Sequence, residues 1–158
     1  MIKKTCFAAL LVLACAFGRA QSISFGDILN LSSMNDAQAH DFLTVSKGFK
    51  PGGQQMVGGK SYQEYKLATG TPEKIESVLI GTGSSTASGT TSHEIIYNTT
   101  QEQDLNNLLA EAKKSTLTLI FQGADLSSNI YRFDNSLFRA SISIAFDKKS
   151  GNVDVQQK

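Results

Sequence analysis

The chain has no cysteine after position 15. Its two cysteines, Cys6 and Cys15, both lie before position 21 in a sequence of 158 residues. A mature form that begins at Gln21 has no thiol, which excludes intramolecular disulfides, cysteine-dependent catalysis and thiolate zinc sites. Its stability then depends on the burial of apolar surface. The part of the chain from Gln21 to Lys158 is long enough for one domain with a core of its own.

The sequence also lacks an excess of charge of either sign. The whole chain has 15 Lys and Arg against 14 Asp and Glu, and loss of Lys3, Lys4 and Arg19 with the N-terminal segment leaves 12 against 14. Proteins bind nucleic acids and anionic membranes through clustered Lys and Arg, which displace counterions. We therefore expect neither nucleic acid nor an anionic membrane surface as a partner.

Long apolar runs are missing as well, except for one that indicates export. A lysine pair precedes an apolar run over residues 6 to 17, and Gly18 and Ala20 place small residues where a signal peptidase needs them. The run is shorter than the about 20 residues that span a bilayer. The sequence thus predicts a secretory signal peptide over positions 1 to 20, cleavage between Ala20 and Gln21, and a periplasmic or extracellular mature chain without a transmembrane segment.

An alternative interpretation treats Val12-Leu13-Ala14-Cys15 as a lipobox. Cys15 would then be acylated and would tether the domain to a membrane of the cell envelope. The small residue before Cys15 fits this pattern. Leu13 is unusual at its position, and apolar residues follow Cys15 where lipoproteins usually begin a polar tether.

Apolar spacing and turn residues predict three helices. Phe25, Ile28 and Leu29 predict a short helix, and a second one begins at Asn35 or Asp36 and ends at Gly48. Leu105, Leu108, Leu109 and Ala112 mark a third helix, for which Thr99 and Thr100 are the expected caps. Strands are predicted at residues 56 to 57, 60 to 67, 75 to 80, 94 to 98, 117 to 122, 130 to 133, 138 to 146 and 153 to 155, and residues 81 to 92 are predicted as a loop or sheet edge.

The two series of elements match when the second is aligned on the first with a constant offset. Phe42 then falls on Leu108, Tyr65 on Tyr131, and Val78 on Ile144. The sequence predicts an α+β domain over residues 21 to 158 that contains two repeats, at about 24 to 98 and 99 to 158. We expect the helices on one face of an antiparallel sheet, with the other face open.

A short helix, a longer helix and about four antiparallel strands, given twice, resemble the tandem architecture of the beta-lactamase inhibitor protein and of small envelope lipoproteins of similar topology. The resemblance is in the order of elements alone. No signature residue of either family is present, and the disulfides expected in both are impossible here. It implies that the exposed sheet face binds another macromolecule.

Motifs for common chemistries are incomplete. Gly81 and Gly83 follow a predicted strand but open no helix, as a phosphate-binding loop would. His40 and His93 belong to no metal motif, and there is no Gly-x-Ser-x-Gly sequence. We therefore expect no cofactor and no metal. The alternative is a hydrolase whose site combines His93, a loop serine and a distant carboxylate.

The remaining candidates are aromatic and cationic residues on predicted strands. Lys66 and Arg132 follow Tyr65 and Tyr131, so their side chains project to the opposite sheet face. Tyrosine and arginine are enriched at binding surfaces, whereas Tyr65 and Tyr131 are interpreted as core aromatics. The predicted binding residues are Lys66, Arg132, Tyr62 and Tyr97. The leading hypothesis is an exported interaction module without catalytic activity, with another envelope or extracellular protein as its partner.

Overall fold

The structure is a computed structural model that describes residues 23–67, 74–85 and 91–158. The predicted signal peptide, its cleavage site at Ala20 and Gln21, and Cys15 lie outside these residues. The described helices are α1 (Phe25–Leu31), α2 (Asp36–Asp41), which continues as a π-helical turn (Phe42–Ser46), and α3 (Glu102–Lys114). The described strands are β1 (Phe49–Val57), β2 (Lys60–Leu67), β3 (Glu76–Gly81), β4 (Ser84–Ser85), β5 (Thr91–Ser92), β6 (Glu94–Thr99), β7 (Thr118–Ala124), β8 (Ser128–Asp134), β9 (Phe138–Ala145) and β10 (Gly151–Gln157).

Eight of these strands form one antiparallel sheet in the order β1-β2-β3-β6-β10-β9-β8-β7, and β4 pairs with β5 in a separate ribbon. The α+β class predicted from the sequence is confirmed. The strand order is symmetric about the central pair of β6 and β10. In the chain, α2 precedes the β1–β2 hairpin, which β3 and β6 follow, and α3 precedes the β7–β8 hairpin, which β9 and β10 follow.

Local capping explains where the first two helices begin. Ser24 and Asp27 form a reciprocal capping box at α1, and Asn35 and Gln38 form another at α2. The π-helical turn after α2 is followed by Gly48, which has a φ of 73°. A glycine in this left-handed conformation is the predicted end of the second helix.

The third helix begins differently from the prediction. Its cap is Gln101, which makes no side-chain capping bond. The Thr99 hydroxyl instead accepts a hydrogen bond from the Gln101 backbone, and the Thr100 hydroxyl accepts one from the Ile75 backbone. The two threonine hydroxyls therefore bond to backbone groups outside the helix, so the expected capping boxes do not form.

All three described helices contribute to a single core with one face of the sheet. Strand β9 shows the alternation that the sequence predicts: Ala140, Ile142 and Ile144 are buried in this core, whereas Ser141 and Ser143 face the other way. The helix residues of the core are Phe25, Ile28, Leu31, Ala39, Leu43, Leu105, Leu108 and Ala112. Alternation thus assigns one face of the sheet to the helices.

One row of paired residues crosses the sheet on the core face. It runs through Tyr65, Val78, Tyr97, Val153, Ile142 and Tyr131. Tyr65 and Tyr131 therefore lie in the same row, on the second strand from each edge. Val78 is paired with Tyr65 as Ile142 is paired with Tyr131, so the predicted match of Val78 to Ile144 is wrong by two positions.

Candidate functional site

The face of the sheet away from the described helices, here called the open face, carries two of the predicted binding residues. Lys66 and Arg132 both project from it and are exposed. The Lys66 Nζ atom lies 2.9 Å from Glu64 Oε2, and the Arg132 guanidinium carbon lies 5.3 Å from the centre of the Phe121 ring. Strands β2 and β8 are five strand spacings apart, about 24 Å, so the two cations mark opposite sides of the open face.

Tyr62 lies on the open face but is only 2% exposed. Burial and a hydrogen bond to the Glu94 carboxylate raise the pKa of the Tyr62 hydroxyl to about 12. Glu94 Oε2 is also 2.5 Å from Lys60 Nζ. The Tyr62 hydroxyl therefore orients the Glu94 carboxylate through a hydrogen bond. Because its own side chain is buried, Tyr62 presents little surface to a partner.

Tyr97 is not a surface residue, so its prediction as a binding residue is corrected. It shares the core face with Ile95 and is fully buried. Its hydroxyl donates a hydrogen bond of 3.0 Å to Glu76 Oε2. Burial of the ring, with the hydroxyl satisfied by a carboxylate, makes Tyr97 a structural residue of the sheet.

An acidic residue that the sequence analysis did not single out lies near the middle of the open face. Asp154 in β10 is paired with Ile96 on one side and Ser141 on the other. Burial, together with the negative charge of Glu94, raises the pKa of Asp154 to about 6, although Lys60 acts in the opposite direction. The alternation of Val153, Asp154 and Val155 was its only sequence signal. We call the group of Asp154, Glu94, Lys60 and Tyr62 the Asp154 recess.

Two further side chains of the open face, outside the Asp154 recess, are also shielded from solvent. Leu79 is 5% exposed and Glu64 is 6% exposed, although both point away from the helices. A flat sheet face that meets only solvent would leave such side chains accessible. Neighbouring side chains therefore make part of the open face recessed.

A cleft of about 310 Å³ lies on the helix side, between the first turn of α2 and strands β1 to β3. Hydroxyl, amide and carboxylate groups line most of it, and Asp36 is the one charged residue of its described lining. That lining comprises Asp36, Ala39, Gln54, Ser61, Gln63, Tyr65, Ile80, Gly81 and Thr82. A neighbouring depression of about 400 Å³, with Lys60, Ser84, Ser92 and Glu94 in its wall, shares Ser61, Gly81 and Thr82 with the cleft.

The structure brings His93 and Asp36 together beside this cleft. The His93 side chain is buried, its Nδ1 atom lies 2.8 Å from the Gly81 carbonyl oxygen, and its Nε2 atom lies 3.2 Å from Asp36 Oδ1. Nδ1 must carry the hydrogen to meet the carbonyl, so the contact with Asp36 is attractive when Nε2 is protonated too. Only Nδ1 has a hydrogen-bond partner among the described residues, since Nε2 lies near Asp36 without forming a hydrogen bond. Neither nitrogen is bonded to a serine hydroxyl of these residues, as a hydrolytic triad requires.

The other histidine is part of a separate contact. His40 Nδ1 lies 3.2 Å from the Tyr65 hydroxyl, and burial together with the charge of Asp36 raises the pKa of Tyr65. In the part of the chain that the structure describes, no three His, Cys, Asp or Glu residues are arranged to hold a metal ion. None of the helices in the same part is long and apolar enough to cross a membrane.

Comparison of the chain with protein-family models, with curated proteins and with solved structures gives no match. The open face, the cleft and the residues that line them are therefore the features of the molecule that bear on its function.

Proposed function

We propose that the chain is an exported interaction module without catalytic activity, and that it binds another envelope or extracellular protein on the open face. The observation that carries this proposal is the Asp154 recess. A carboxylate on a sheet face that meets only solvent would be exposed and would lie away from other carboxylates. The Asp154 carboxylate is instead half-buried and close enough to Glu94 to be affected by its charge. Strongly perturbed groups of this kind concentrate at functional sites.

The exposed cations extend this surface. Lys66 lies farther along β2, the strand that carries Lys60 and Tyr62 of the recess, and Arg132 lies across the sheet on β8, near the exposed Phe121 ring. Aromatic and arginine side chains are the residues that most often contribute strongly to protein interfaces. A protein partner with charges of both signs matches this combination of acidic recess and cationic sides.

The symmetric strand order supports the proposed duplication and the likeness to tandem inhibitor-type architectures. Apart from α1 and the β4–β5 ribbon, which occur in the first half alone of the described residues, each half places a helix, a hairpin and two strands in the same order. Tyr65 and Tyr131 occupy mirrored positions in one row. In such a fold the helices cover one face of the sheet, and the other is left for a partner. The proposal therefore takes the open face, and not the cleft, as the main interface.

The proposed location of the mature chain is the periplasm or the extracellular space, after cleavage of the signal peptide between Ala20 and Gln21. Intact mass of the exported protein tests this directly. A mature chain that begins at Gln21 supports the proposal. A species that begins at Cys15 and carries acyl chains establishes the lipoprotein alternative, which changes the anchoring and leaves the open face as it is.

The interface is tested by affinity capture of partners from the cell envelope with matched variants. Lys66→Glu and Arg132→Glu alter the open face, whereas Lys149→Glu alters an exposed residue of the turn between β9 and β10. We expect one partner to be retained by the wild-type chain and by Lys149→Glu, and to be lost from the two open-face variants. Equal retention by all four proteins contradicts the proposed interface.

The hydrolase alternative has its own test. The purified exported protein is screened against ester and peptide substrates, together with His93→Gln and Asp36→Asn. We expect no turnover. Turnover that disappears in a folded His93→Gln variant would defeat the non-catalytic proposal, because His93 is the histidine that contacts Asp36 beside the cleft.

A further inference from the structure

Strand β7 forms one edge of the sheet and exposes consecutive apolar side chains. Leu119 is 39% exposed, Ile120 58% and Phe121 44%, and Leu126 in the turn that follows is fully exposed. An edge strand also has a row of backbone N–H and C=O groups without strand partners, which is a template for a further strand. The β7 edge therefore offers both backbone hydrogen bonds and apolar surface.

The charges and the proline that oppose strand pairing are absent from this edge and present on the other one. Residues 115 to 124 contain no charged residue and no proline. Strand β1, at the opposite edge, contains Lys50 and Pro51. The register shifts within both edge strands, across Gly52 and Gly53 in β1 and across Ile120 in β7, so the two edges differ in charge and proline. Charges, prolines and irregularities are what proteins use to stop edge strands from associating. Lys50 and Pro51 thus protect the β1 edge, and β7 has no residue of either kind.

The charges that flank β7 have opposite signs. Helix α3 ends with Lys113 and Lys114 just before the strand, and Asp125 follows it directly. The backbone N–H groups of Ser127 and Ser128 each donate a 2.7 Å hydrogen bond to Asp125 Oδ1. These bonds lower the pKa of Asp125, so the residue is an anion at neutral pH.

We propose that β7 pairs antiparallel with β7 of a second copy of this chain, so that the two sheets join across a twofold axis. Antiparallel pairing places the lysine end of one strand beside the Asp125 end of the other. Pairing about the middle of the uncharged segment, residues 115 to 124, puts the axis near Ile120, where the exposed apolar side chains lie. A twofold contact uses the same patch on both copies, and an uncharged strand with oppositely charged ends is complementary to itself.

The protected β1 edge makes the assembly close at two copies. A copy bound through β7 presents only its β1 edge at the far end of the joined sheet, and Pro51 cannot donate a backbone hydrogen bond there. The dimer also extends the open face, because the two copies contribute the same face of a continuous sheet.

Sedimentation of the purified exported protein over a range of micromolar concentrations tests the assembly. We expect twice the mass of one chain for the wild type, and a dissociation constant at least about tenfold larger for Ile120→Lys. Val45→Lys removes an even more exposed apolar residue from the π-helical turn and should leave the dimer unchanged. A wild-type chain that stays monomeric, a dimer that is insensitive to Ile120→Lys, or growth into larger assemblies overturns the proposal.

Cysteine cross-linking locates the axis independently of that variant. The mature chain has no cysteine, so Ile120→Cys introduces its one thiol. Two such residues near the axis come within the Cα separation of about 4.4 to 6.8 Å that a disulfide needs. Mild oxidation should cross-link Ile120→Cys and should leave Met56→Cys, on the β1 edge, as single chains. Cross-linking of Met56→Cys alone, or of neither variant, contradicts pairing through β7.

Discussion

His93 Nε2 lies 3.2 Å from Asp36 Oδ1, and this contact joins the residue before β6 to the first turn of α2. The His93 backbone also donates a hydrogen bond to the Ser32 carbonyl, and its Nδ1 atom is bonded to the Gly81 carbonyl. His93 therefore connects the corner between α1 and α2 to the end of β3, beside the polar cleft.

Removal of the imidazole should cost more stability than removal of the carboxylate charge. His93→Ala leaves the Gly81 carbonyl without its side-chain donor and creates a cavity, so we expect a loss of about 2 to 4 kcal/mol. Asp36 is exposed, and Asp36→Asn should cost less than about 1 kcal/mol. Urea unfolding of both variants measures this. Equal losses of unfolding free energy in the two variants would mean that the contact with Asp36, and not the buried imidazole ring, stabilises the corner between α1 and α2.

The core face of β9 gives a second prediction. Ile142 is fully buried between β8 and β10, so Ile142→Ala should lower the free energy of unfolding by about 2 to 5 kcal/mol. Ser143 points to the open face, and Ser143→Ala should change it by less than about 0.5 kcal/mol. Thermal melts of the two variants are sufficient. A reversal of the two effects would show that the helices cover the other face.

Close packing of α3 on the sheet predicts the effect of a single methyl group. A Cβ atom at Gly151 would lie 2.7 Å from a Leu105 methyl carbon and closer still to the Ser143 carbonyl oxygen. Gly151→Ala should therefore destabilise the protein by about 1 to 3 kcal/mol. At Gly26, in α1, the nearest such atom is 3.8 Å away, and Gly26→Ala should be neutral or stabilising. Similar melting temperatures for both variants would contradict this packing.

Asp154 should make stability depend on pH. Burial, with the charge of Glu94, raises its pKa from 3.8 to about 6, so the folded chain holds this proton at a higher pH than the unfolded chain. The contribution to stability is therefore complete below pH 3.8 and is lost as the pH rises through 6. We expect the wild type to lose about 1 to 2 kcal/mol relative to Asp154→Asn between about pH 4 and 7. Parallel unfolding profiles of the two proteins would exclude the recess as described.

Much of the fold could be predicted from the sequence because its elements have clear local signals. The spacing of Leu105, Leu108 and Ala112, the alternation around Ile142 and the position of Gly48 all correspond to the structure. The beginning of α3 could not be predicted in this way. Thr99 fits a capping pattern, but its hydroxyl has an alternative donor in the Gln101 backbone.

The site was harder to predict because it depends on which face each strand presents. Apolar residues occur at both Ile95 and Ile96, so alternation alone does not decide whether Tyr97 is buried or exposed. Lys66 and Arg132 could be placed on the open face since they follow tyrosines that pack inward. The contact between Asp36 and His93 joins distant parts of the chain, and no local pattern specifies it.

Thiol labelling of the open face in intact cells tests the central claim most directly. Asn152→Cys places a thiol on an exposed open-face position of β10, and Lys149→Cys places one in the adjoining turn, in a chain that has no cysteine after position 15. If a partner covers the open face, a maleimide should label Asn152→Cys much more slowly in intact cells than after purification. Lys149→Cys should react at the same rate in both. Equal labelling of Asn152→Cys in cells and in the purified protein would contradict a partner on this face.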